Sequence, residues 1–116
     1  MISDQRRMEV RRLWFAYEDD PARGKHRPVV IGLVDHDSGD CLVVKVTGHG
    51  PREGFDGEVR LLDWQQAGLS KPSTARCSKV AVVPLRALLG SEVYGLLSLR
   101  DSIRVRAALC DLGFLS

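Results

Sequence analysis

Up to about residue 62 the apolar positions fall in short runs separated by turn formers, and at Asp63 the period changes. The segment Val10 to Tyr17 (VRRLWFAY) is rich in aromatic and branched residues and predicts a strand. Glu18 to Lys25 (EDDPARGK) is charged and broken by Pro21 and Gly24, which predicts a loop. Pro28 to Val34 predicts a second strand, closed by the turn formers Asp35-His36-Asp37-Ser38-Gly39-Asp40. Cys41 to Val46 predicts a third, and so short a connection implies an antiparallel hairpin. Glycine-rich Thr47 to Gly57 then leads to a fourth strand over Glu58 to Leu62.

Asp63-Trp64-Gln65-Gln66-Ala67-Gly68 combines a capping residue, a glutamine three positions later and a stopping glycine, the signature of one helical turn. Thr74 to Val83 alternates and predicts a fifth strand. Pro84 suits the first turn of a short helix carrying Leu85, Leu88 and Leu89. Ser98 and Asp101 resemble another helix start, and behind them Leu99, Ile103, Ala107 and Cys110 recur at helical spacing. They predict a terminal amphipathic helix near residues 99–112. Short strands followed by helices predict a mainly β fold with helices: a small SH3-like half-open β-barrel with a C-terminal amphipathic helix packed on it. The chain reads as one domain over residues 1–116, with polar residues 1–9 expected to fray.

Composition narrows this picture. A hydrophobic fraction of 44%, a charged fraction of 28% and a net charge of +2 describe a globular domain that tolerates an anionic partner without requiring one. A domain of 116 residues buries somewhat under about two-thirds of its unfolded surface, which is foldable but marginal, so oligomerisation would help it. Cys41, Cys77 and Cys110 are odd in number and far apart, which argues against a zinc ribbon or a disulfide framework and fits a reducing cytosol. Each reads as a small packed hydrophobe. No signal peptide or bilayer-spanning run is recognisable, so the expected location is cytoplasmic.

The candidate chemistry lies at the end of the predicted hairpin. Alternation places Lys45, Thr47 and, if the strand continues, His49 on one face, opposite Val44 and Val46. The preceding strand begins behind Lys25, His26 and Arg27, and an antiparallel hairpin brings its start near the end of the next strand. Arg27 and Thr47 should therefore be spatial neighbours. A guanidinium fork and a hydroxyl suit phosphate oxygens. Cleavage of RNA by its own 2′-OH needs charge stabilisation, a proton acceptor and a proton donor, and it needs no metal. The three histidines and scattered acids show no ligand spacing, so no metal or other cofactor is expected. The same pattern also describes an ordinary solvated strand end, because basic residues at a strand entrance and threonine in a strand are common. Pattern alone leaves both readings open.

A second polar patch, Gly68 to Lys79 (GLSKPSTARCSK), offers Lys71, Ser73 and Arg76 as groups able to track a phosphate backbone. Alternation would put Thr74, Arg76 and Ser78 on one face. Trp64 and Phe55 are possible stacking residues, although such aromatics are commonly core.

Several of these segments resemble the MazF/PemK-type endoribonuclease toxins of type II toxin–antitoxin systems. The likeness rests on Asp20-Pro21, Gly24 and Arg27-Pro28-Val29-Val30; on Val46-Thr47; on Gly68-Leu69-Ser70-Lys71-Pro72-Ser73-Thr74-Ala75-Arg76; and on Tyr94-Gly95-Leu96-Leu97-Ser98 before the terminal helix. It spans roughly Leu13 to Leu112. The resemblance implies the CcdB/MazF-like form of the half-open barrel, as a homodimer that cleaves single-stranded RNA without metal. The implied products carry 2′,3′-cyclic phosphate and 5′-hydroxyl ends. By position, Arg27 would share in proton transfer and stabilise the transition-state phosphate, Thr47 would hydrogen-bond the scissile group, and Ser73 would help seat the RNA. The family's antitoxins lay an acidic, partly disordered tail over the same groove. The sequence departs from the family at Met8-Glu9-Val10-Arg11, where Gly-Asp is usual, and its first loop is short and lacks the glutamate often found before Arg-Pro. The alternative is a non-catalytic SH3-like binding module, or a toxin acting on a protein target such as gyrase.

Overall fold

The computed structural model describes residues 7–17, 19–51 and 53–116. Six strands, β1 (Glu9–Ala16), β2 (Gly24–Asp35), β3 (Asp40–Thr47), β4 (Glu58–Arg60), β5 (Thr74–Pro84) and β6 (Val93–Leu96), form one sheet. A short helix α1 (Leu85–Leu89) follows β5, and α2 (Leu99–Asp111) follows β6. The strand order is β4-β5-β3-β2-β1-β6, and every pairing is antiparallel.

Two bulges bend the long strands. One lies in β2 between Ile31 and Leu33. The other lies in β5, where the partner of Val44 is Val80 and the partner of Lys45 is Arg76. Extra residues in one strand of a pair increase local twist, and together these curl the sheet into a half-barrel. The expected mainly β, half-open barrel with a C-terminal helix is the fold observed.

The curled sheet has a core on each face. Val10, Val30, Val44 and Val46 point to one, where Val105 and Leu109 of α2 meet Leu61, Ala67 and Leu97. Leu13, Val29, Ile31 and Val43 point to the other, which Leu88 of α1 covers. Burial on both faces explains why Val29-Val30-Ile31 is a continuous apolar run instead of an alternating one. Cys41 and Cys77 are buried in these cores and Cys110 is half-buried. Burial pushes the Cys77 thiol up to about 12.

Local expectations fail in four places. Residues 8 and 9 do not fray: Met8 is buried, its N–H donates to Ile31 O at 2.7 Å and its carbonyl accepts from Leu97 N at 3.0 Å. Those two bonds and its burial hold Met8 at φ 63°, a conformation a non-glycine residue rarely adopts alone. Residues 1–6 lie outside the described part. β6 was not expected; it is four residues long and exists because β1 offers it a free edge at Glu9, Val10 and Arg11. β2 begins at Gly24, four residues earlier than Pro28, because β1 pairs with it as far as Ala16↔Gly24.

The fourth failure concerns α2. Leu99 and Ile103 of the expected apolar face are 78% and 58% exposed, and Ala107 is also exposed. The buried face is Asp101, Val105 and Leu109. The capping turn decides this. Ser98 Oγ accepts from Asp101 N at 3.3 Å, while the Asp101 carboxylate accepts from Leu62 N (3.1 Å) and Asp63 N (2.8 Å). A carboxylate that satisfies two backbone donors of a neighbouring turn turns that face of the helix inward.

Candidate active site

The site exists because β2 and β3 part company. Their ladder stops at Val29↔Lys45. Beyond it β2 stays with β1, where Leu13 faces Arg27, and β3 stays with β5, where Thr47 faces Thr74. The wedge between them is a cavity of about 340 Å³. One bank carries Lys25, His26, Arg27 and Pro28, and the other carries Val46, Thr47, Gly48 and His49. Pro28 has no N–H to contribute, and on its β3 side no ladder partner is required of it.

The floor and far wall come from the 68–73 segment and β6. Gly68, Leu69, Ser70, Lys71, Ser73 and Tyr94 complete the lining. Gly68 sits at φ +83°, and any Cβ there would run into the carbonyl of Tyr94. The turn thus approaches β6 as closely as two backbones can. The Asp63–Gly68 segment does wind once, with Ala67 N donating to Asp63 O at 3.2 Å. The Asp63 side chain is not its cap, however. It accepts from Arg100 Nε and Nη2 (2.7 Å each) and from Ser98 Oγ (2.6 Å), which hold its carboxyl down at about 2.

Three of the lining residues are formal cations, Lys25, Arg27 and Lys71, and two are histidines, while no carboxylate lines the cavity. Among the described residues none of the three cations is within ion-pair distance of an acid. The Lys71 side chain lies across the backbone of Gly48, so close that a Cβ at Gly48 would be 2.6 Å from Nζ. Ser73 is 5% exposed and donates its hydroxyl to Lys71 O at 2.8 Å, so it shapes the loop that presents Lys71. Unopposed cations around a recess attract and hold anions.

The structure gathers seven of the nine expected site residues: Arg27, Thr47, Lys25, His26, His49, Lys71 and Ser73. It leaves two elsewhere. Lys45 lies over the Phe15 ring, its Nζ 4.7 Å from the centroid, because the ladder holds it opposite Val29. Arg76 donates through Nε to Glu58 Oε2 at 3.1 Å across the β4–β5 pair and is committed to that contact. Nor do Thr74, Arg76 and Ser78 share a simple face: Thr74 is buried and the β5 bulge interrupts the alternation. Trp64 packs half-buried against the core, and Phe55 is 48% exposed. Among the described residues no three His, Cys, Asp or Glu side chains gather where a metal ion could be held. No helix among the described residues is long and apolar enough to cross a membrane.

The sequence profile of the "PemK-like, MazF-like toxin of type II toxin-antitoxin system" family matches residues 6–112. The chain belongs to this family. Solved structures agree in fold. A chain of a MazE–MazF crystal structure from Deinococcus radiodurans is 19% identical with a TM-score of 0.70, covering 95% of this MazF-like chain and 96% of its own. The Mycobacterium tuberculosis toxin MazF-mt6 is 24% identical with a TM-score of 0.58, covering 91% and 99%. A mycobacterial endoribonuclease solved with its cognate antitoxin is 16% identical with a TM-score of 0.64, covering 95% and 96%. Among curated protein sequences none matches this MazF-like chain significantly.

Tyr94 of the main cavity and Arg60 of a smaller recess are polar side chains that local sequence does not mark as site residues. Tyr94 lies on β6, whose four residues include Gly95 and carry no strand signal of their own. Arg60 borders a smaller recess beside the main cavity, and its place at the end of β4 follows only from the pairing Arg60↔Thr74.

Proposed function

We propose that this MazF-like toxin cuts single-stranded RNA by in-line attack of a ribose 2′-oxygen on the adjacent phosphorus. The new P–O2′ bond forms as the P–O5′ bond breaks, leaving a 2′,3′-cyclic phosphate and a 5′-hydroxyl. Arg27 stabilises the charge on the five-coordinate phosphorus and shares in proton transfer, and Thr47 hydrogen-bonds the scissile group. Lys25, His26, His49 and Lys71 hold the strand, and Ser73 acts through the Lys71 loop. Protein cations carry the charge stabilisation, so the reaction needs no metal. The observation supporting this reading is the cationic cleft between β2 and β3, with Arg27 and Thr47 on its opposite banks and no carboxylate in its lining.

The same cleft suits the acidic tail of an antitoxin, which would compete with RNA for Lys25, Arg27 and Lys71. A second copy of the chain would cover the exposed Leu96, Leu99 and Ile103, giving a homodimer. Such a toxin acts in the cytoplasm, where its RNA and its antitoxin both reside. The test is incubation of the purified protein with single-stranded RNA in EDTA, with analysis of the product ends. Fragments with 5′-hydroxyls that disappear with Arg27→Ala support the assignment. Growth arrest that survives Arg27→Ala, with gyrase supercoiling inhibited, would replace it with a protein-targeting activity.

A further inference from the structure

Beside the main cleft lies a smaller recess of about 60 Å³, formed between the Gly48–Gly50 turn and Pro72–Thr74 and bordered by Arg60. It shares Gly48, His49 and Ser73 with the main cavity, so the two are adjoining parts of one trough. Its construction is specific. Thr74 is 1% exposed and donates Oγ1 to His49 O at 2.6 Å, which pins the turn over the recess. Arg60 reaches the same turn from the opposite side, its Nη2 within 3.0 Å of where a Cβ on Gly50 would stand. The glycine leaves that approach open. The guanidinium has no carboxylate partner among the described residues, while the Arg60 carbonyl is fixed by Arg104 Nη1 at 2.6 Å. At about 60 Å³ the recess is a small notch that adjoins the main cavity, and a phosphate oxygen can enter it beside the guanidinium.

Resting on the nuclease reading above, we propose that this recess is a second phosphate subsite, in which Arg60 binds the backbone phosphate next to the scissile one. The strand then runs from the Arg27–Thr47 gap across Gly48 and His49 to Arg60, with the Lys71 ammonium lying between the two positions. The guanidinium is a planar donor matched to phosphate oxygens, and two adjoining anion sites fix the strand's direction through the cleft as well as its affinity.

The test is a binding scan with short single-stranded RNA, blocked by 2′-O-methyl groups and carrying one neutral methylphosphonate linkage at a time. Wild type should lose affinity roughly tenfold at each of two neighbouring linkages. Arg60→Ala should be insensitive at one of them and Arg27→Ala at the other, and Arg60→Lys should restore part of the first loss. Arg60→Ala should also lower the slope of log K against log salt by about 0.7. Its melting temperature should not change, because the side chain is exposed and the backbone bond to Arg104 remains. If both variants silence the same linkage, or Arg60→Ala keeps the wild-type profile, the subsite is overturned and the nuclease reading stands. If wild type binds no RNA, both fall together.

Discussion

Arg27 and Thr47 occupy opposite banks of one cleft because neither takes part in the β2–β3 ladder: Arg27 faces Leu13 in β1, and Thr47 faces Thr74 in β5. Had the hairpin stayed zipped, the register that pairs Val29 with Lys45 would have set the two residues side by side on a closed sheet. A gap between them leaves room for a phosphodiester.

Removing either group should therefore affect chemistry and spare the fold. Arg27→Ala should lower RNA cleavage by about a hundredfold or more, the scale of losing a charge-stabilising donor. Thr47→Ser should keep most activity, and Thr47→Val should lose it. Single-turnover cleavage beside thermal unfolding separates the two effects; equal loss of melting temperature and activity would contradict the assignment.

Gly68→Ala should destabilise the protein by more than about 1 kcal/mol. The backbone there is at φ +83°, and the added methyl meets the Tyr94 backbone, which cannot rotate away as a side chain could. Denaturant unfolding measures the loss, and RNA affinity should fall with it because the same turn lines the cleft.

The two stripes of α2 should respond in opposite ways. Leu109→Ala empties a fully buried site and should cost about 2–5 kcal/mol. Leu99→Ala, on the 78% exposed stripe, should change the unfolding free energy of the dilute monomer by less than about 0.5 kcal/mol. It should instead weaken self-association, read by analytical ultracentrifugation.

Acid should find the Asp63 cluster in a defined window. Hydrogen bonds from Arg100, and next from Ser98, lower the Asp63 carboxyl from 3.8 to about 2. Between those values the unfolded chain binds more protons than the folded one, so stability rises with pH there. The stability difference between wild type and Asp63→Asn should be fully present above about pH 4 and fade as pH falls toward 2. A difference that persists unchanged to pH 2 would show that the Arg100 contact contributes nothing.

Asp101→Ala should cost at least about 2 kcal/mol, since it strips partners from two backbone N–H groups of the 62–63 turn. Asp101→Asn, which keeps an acceptor, should recover part of that loss in the same unfolding assay.

Much of this protein is written locally. Aromatic and branched residues marked β1, alternation marked most of β5, the turn formers Asp35 to Asp40 closed the β2–β3 hairpin, and Ser98 with Asp101 started α2, because each depends on residues within one or two turns of chain. Five of the nine expected site residues, Lys25, His26, Arg27, Thr47 and His49, meet at one cavity for a similar reason, since a hairpin brings its ends together, while Lys71 and Ser73 reach it from the separate 68–73 segment. What lay beyond reach was set by partners far away in sequence. α2 carries two apolar stripes, and only the bonds from Asp101 to a turn nearly forty residues earlier choose the buried one. β6 is too short to announce itself and is a strand only because β1 has an open edge. Lys45 and Arg76 look like any cleft cations until the register commits one to Phe15 and the other to Glu58. Arg60 joins the trough for the converse reason, since β4 finds its place only against β5. Local pattern determines which face of a strand is apolar and where a helix starts; long-range pairing alone decides which faces meet, which charges are neutralised and where the sheet opens.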